Sequence, residues 1–166
     1  MSNLKLEFRN LNVVFATVVA AIFIFVDFFV WCAAGSPMYV LRFVSVYVPV
    51  LPLWVFGLFD FLSFAVLGFS LGAVLGMSCS AYDVYKYRGA FYFIMGVTLA
   101  FVHHILLLVG AKFFVAIFIG VLRCFFISVA IVNFYRVSKI SAVLSAVGSV
   151  WSFYILIFNL LVFFFV

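Results

Sequence analysis

Polar residues interrupt this chain so rarely that its apolar runs can be read off directly. One run extends from Leu11 to Ala34, and another, Ser141–Val166, closes the sequence. SAYDVYKYRG (Ser80–Gly89) and NFYRVSKIS (Asn133–Ser141) are the two polar breaks. A hydrocarbon core is crossed by a helix of about 20 apolar residues. Leu11–Ala34 and Ser141–Val166 therefore supply one span each, and Gly89–Phe134, too long for one helix, divides in two at Gly110–Lys112. Gly35–Ser80 is either one helix preceded by an interfacial loop or two helices.

Charge separates these alternatives. With five spans, one side carries Lys5, Arg9, Lys86, Arg88, Arg136 and Lys139, against Arg42 and Lys112 on the other. With six spans, Lys5, Arg9 and Lys112 face Arg42, Lys86, Arg88, Arg136 and Lys139. Lys and Arg collect in cytoplasmic loops, so the first distribution is the better topology. Pro49 and Pro52 also suit a loop or a helix entry better than a span centre. The expectation is an all-α bundle of five transmembrane helices, six remaining possible, with the amino terminus inside.

Composition excludes a water-soluble fold. Hydrophobic residues make up 71% of the 166 and charged residues 8%, where a soluble chain carries about a quarter charged. One membrane-embedded domain spanning 1–166, with 1–10 as a short cytoplasmic-side tail, accommodates this length. The first run is too long for a signal-peptide core and reads as a retained span. The net charge of +5 comes from scattered residues with no basic stripe, which fits bilayer orientation and excludes a nucleic-acid partner. Cys32, Cys79 and Cys124 lie far apart in apolar runs with no ligand spacing, so neither metal nor cofactor is expected. No nucleophile–base pattern or phosphate loop points to an enzyme.

The spans carry two kinds of marked residue. Gly68, Gly72 and Gly76 recur every four residues and bare one strip of a helix to close packing. The last span offers a similar small face, Ser141, Ser145 and Ser149 beside Ala142 and Ala146. Asp27, Asp60 and Arg123 are ionisable at membrane depth, where an isolated charge costs several kcal/mol and must find a partner or a cavity. Asp60 lies about one turn from the expected start of its helix. There it is either an interfacial residue held by the helix dipole and water, or an inward-facing one. His103 and His104 point about 100° apart on a helix. They cannot converge on one haem; one is free to line a cavity while the other bonds a neighbouring helix.

PLWVFGLFDFLSFAVLGFS (Pro52–Ser70) resembles the start of the second helix in the tryptophan-rich sensory protein or translocator protein (TspO) family, through Pro52, Trp54, Val55, Phe56, Gly57 and Gly68. FYRVSKISAVLSAVGSVWSFYILIFN is similar to that family's last-helix segment, through Phe134, Arg136, Val137, Ser138, Lys139, Ala142, Leu144, Trp151 and Asn159. Asp60 stands where the family has a second Trp, and Val147-Gly148 where it has Pro-Tyr. The resemblance implies a pocket between helices for a porphyrin- or sterol-like molecule, and a homodimer. Trp54, Phe56, Asp60, His103, Trp151 and Asn159 are then the expected ligand-binding residues. SPMYVL, DFL and Leu71–Ala73 resemble the front half of chain 6 of NADH:ubiquinone oxidoreductase. That alternative implies a respiratory subunit with partner membrane subunits, and a structural multi-span protein is a third reading. The expected location is a bacterial or archaeal plasma membrane or a mitochondrial membrane.

Overall fold

The computed structural model describes residues 12–34, 51–78, 82–110 and 113–165. They form five helices: α1 (Val13–Ala34), α2 (Leu53–Leu75), α3 (Asp83–Gly110), α4 (Phe113–Val137) and α5 (Lys139–Phe165). All five are long and apolar enough to cross a membrane. The protein is a multi-pass, all-α membrane bundle with one described helix between Gly35 and Ser80. The proposed tail 1–10, Pro49, Cys79, and the basic residues Lys5, Arg9, Arg42 and Lys112 lie outside the described residues.

Local chemistry sets the helix ends. The Asn12 side chain accepts the Phe15 N–H at 3.0 Å and caps α1. Pro52 precedes α2, where its missing N–H is no loss. The two polar breaks are mostly helical, contrary to their reading as connections. Asp83–Gly89 forms the first turns of α3, and only Ser138 separates α4 from α5. Its hydroxyl accepts the Ser141 N–H at 3.2 Å, an N-cap that starts α5 at once. The physical reason is length. α3 has 28 residues, about 42 Å at 1.5 Å per residue, so its basic end projects beyond a core about 30 Å thick. There the long cations lie along tyrosines. Arg136 donates to the Tyr85 hydroxyl at 2.7 Å, and Lys139 sits 5.8 Å from the Tyr135 ring centre. Lys86 donates to the Met77 carbonyl at 2.7 Å, satisfying the chain just past α2.

Consecutive helices run antiparallel. α1 packs on α2, α2 on α5, α5 on α4 and α4 on α3, which returns against α1 and α2. Apolar side chains gain little by leaving lipid, so close contact between small residues and interhelical hydrogen bonds hold such a bundle. Both devices are present. A Cβ on Gly68 would sit 2.8 Å from the Ala20 Cα, and one on Gly72 2.6 Å from the Ala16 Cα. The glycine strip is thus occupied by α1 of the same chain. It does not meet the serine face of α5, which packs on another side of α2. Ser70 donates to the Ser141 carbonyl at 2.7 Å and lies 2.6 Å from the Ser145 hydroxyl, and Ser63 donates to the Gly148 carbonyl at 2.6 Å. The apolar core runs through Phe64, Leu67, Phe93, Ala130 and Phe134, with Phe64 stacked on Phe101 at 5.0 Å.

Candidate functional site

Five helices send polar side chains to one depth. Asp27 is seven residues from the end of α1 and Asp60 seven from the start of α2, each about 10 Å from that end of its helix. His104 and Asn159 are six residues from the ends of α3 and α5, about 9 Å. Arg123 is ten residues into α4, about 15 Å. Alternating helix directions bring these positions to the same end of the bundle. All five residues are buried, Asp27 and Asp60 completely.

Asp60 is the best-connected member. Its Oδ2 accepts the indole N–H of Trp31 at 3.0 Å and its Oδ1 that of Trp151 at 2.9 Å. Gly57, one turn earlier, leaves the room that Trp31 needs: a Cβ there would lie 3.3 Å from the indole ring. The carboxylate sits two turns into its helix, not one, and is wholly buried, which agrees with the inward-facing of the two readings. Two indole donors replace interfacial water. His104 stands between the acids, with Nε2 3.4 Å from Asp60 Oδ2 and Nδ1 3.8 Å from Asp27 Oδ1. His103 turns the other way, and its Nε2 lies 2.7 Å from Asn159 Nδ2. The adjacent histidines thus divide their tasks, one bonding α5 and the other facing the carboxylates.

Other groups here have no hydrogen bond. Both oxygens of Asp27, both ring nitrogens of His104, all three nitrogens of Arg123, His103 Nδ1 and Asn159 Oδ1 are buried without a hydrogen-bond partner among the described residues. Arg123 lies within electrostatic reach of Asp27, Asp60, His103 and His104. A buried donor or acceptor left unpaired costs about 1–3 kcal/mol, more when charged, so this centre is built at the expense of stability.

Aromatic rings wall one side. Phe56 meets Trp151 edge-on at 5.0 Å, Phe59 stacks on it at 5.4 Å and Tyr154 at 4.8 Å. Of the expected ligand-binding residues, Phe56, Asp60 and Trp151 come together, and His103 and Asn159 form a neighbouring pair. Trp54 does not join them; it is 72% exposed. Six residues along a helix turn the chain by about 600°, so Trp54 and Asp60 point about 120° apart. Trp31 takes the place expected of Trp54, and no sequence signal singled it out.

Donor atoms of Asp27, Asp60 and His104 lie within 4.8 Å of one another. They come from three helices, so no ligand spacing along the chain could show them. This is a poor metal cage all the same: both Asp60 oxygens are taken by N–H donors, and a guanidinium stands within electrostatic reach. Comparison with protein-family models, with curated proteins and with solved structures found no match.

Proposed function

We propose that this membrane protein binds or carries a lipid-soluble molecule whose polar group docks at Asp60. The observation that supports this reading is the unpaired polar centre beside an aromatic wall. Ligand sites combine a mostly apolar lining with a few fixed polar groups, and an intramembrane charge, being costly, marks a functional position. The resemblance to the TspO family points to the same ligand classes, porphyrin- and sterol-like. Between them the charge favours the sterol: a hydroxyl donates to Asp60, whereas porphyrin propionates meet two carboxylates.

The chain has three tryptophans, and two of them bond Asp60, so intrinsic fluorescence reports on the site. Titrating the purified protein with a sterol is expected to quench that emission saturably. Losing a hydrogen bond to a charged group costs about 1.5–3 kcal/mol, so Asp60→Asn should weaken binding about tenfold to a hundredfold. Trp54→Phe should leave the curve unchanged. Coincident curves for wild type and Asp60→Asn would remove Asp60 from the site.

A further inference from the structure

We infer that Asp27, His104 and Asp60 form a proton relay, holding one exchangeable proton shared between two carboxylates across the imidazole. A neutral imidazole has one N–H donor and one acceptor nitrogen, and an ionised carboxylate only accepts. In this structure both nitrogens of His104 lie beside carboxylate oxygens, at 3.4 and 3.8 Å, in ion-pair range with no hydrogen bond formed. With His104 neutral and both acids ionised, one ring nitrogen would set its lone pair beside a carboxylate with no proton between them. One added proton removes the conflict wherever it sits. On the ring, it gives both nitrogens an N–H beside a carboxylate; on either acid, it sets an O–H beside the bare nitrogen.

Charge leads to the same count. The groups converging here are Asp27 from α1, Asp60 from α2, His103 and His104 from α3, and Arg123 from α4; α5 contributes the neutral Asn159 and Trp151. Two carboxylates and one guanidinium leave a net charge of −1, and one proton brings it to zero. Neutrality matters because a net charge at this depth costs several kcal/mol.

Closing these pairs to hydrogen-bond distance lets the proton move. When the imidazolium Nε2–H bond breaks, an O–H bond forms on Asp60 and the ring keeps its proton at Nδ1. The mirror step delivers a proton to Asp27 and leaves the ring proton at Nε2. Entry at one nitrogen and departure at the other carries a proton from α1 to α2, with no change in total charge. Asp27, whose oxygens have no hydrogen bond among the described residues, is the open end. Asp60, fixed by two indoles, is the anchored one.

The test uses the full-length protein in lipid, without ligand, so it is independent of sterol binding. Labelling histidine with 15N and aspartate with 13C gives few signals, and Asp27→Asn, Asp60→Asn and His104→Gln assign them. The wild-type titration carries the result even where a variant fails to fold. At neutral pH the three residues together are expected to hold one proton beyond neutral imidazole and ionised acids. On raising the pH, their signals should move together at a single midpoint as that proton leaves. Ionised acids flanking a neutral His104 at neutral pH, or independent midpoints, would overturn the inference. So would tight stoichiometric capture of added Zn2+, which would make the triad a metal site.

Discussion

Gly72→Leu is expected to abolish stable folding or to lower the melting temperature sharply. A Cβ at this position lies 2.6 Å from the Ala16 Cα and 3.2 Å from its carbonyl oxygen. Both are backbone atoms, so no rotamer change relieves the clash and α1 must move bodily. Overpacking a close-packed site costs about 1–3 kcal/mol even when side chains can give, and leucine adds three further carbons. Gly72→Ala already carries the offending carbon and should show the effect in reduced form. At Gly76 the nearest atoms are 3.1 Å away and include the Asn12 side chain, so alanine there should be milder. Thermal unfolding of the three variants in detergent checks the order. Equal stability of Gly72→Leu and wild type would mean that the strip faces lipid and that α1 packs elsewhere.

The second large effect concerns Arg123. Arg123→Met fills similar volume but removes a guanidinium within electrostatic reach of two fully buried carboxylates. A net charge left at this depth costs several kcal/mol, so a large loss of stability is expected. The rescue is specific. Asp27→Asn removes one of the unbalanced charges and breaks no hydrogen bond, because Asp27 makes none among the described residues. The double variant Arg123→Met/Asp27→Asn should therefore recover most of the lost stability. A double-mutant cycle on thermal or denaturant unfolding measures this coupling. Additive losses would show that Arg123 and Asp27 do not interact.

The sequence carried some of this plainly and some not at all. Span length is a local property, and the runs around Asp27, Gly72 and Arg123 announced helices without reference to one another. Ionisable residues at membrane depth also stand out, because each needs a reason to be there. Small-residue spacing announced close packing but not the partner: Gly68 and Gly72 meet α1, and the serine face of α5 meets Ser63 and Ser70. The convergence of Asp27, Asp60 and His104 is a product of three helices and leaves no spacing rule. Trp31 was missed because an indole in an apolar run reads as packing, although Asp60 needed donors and Trp31 could supply one. Asp83–Gly89 read as a break because charge suits loops, yet cations and tyrosines also clothe a helix end that leaves the membrane.

On the proposed reading, the polar centre around Asp60 receives a guest from the lipid. Photo-cross-linking tests it most directly, using the full-length protein in vesicles and a sterol bearing a diazirine beside its hydroxyl. Mass spectrometry should locate the adduct at Asp60 or on the adjoining Phe56, Trp151 or Trp31, with excess unlabelled sterol suppressing it. Adducts spread over lipid-facing residues such as Trp54 and Phe118, unaffected by competitor and sparing Asp60, would contradict the account.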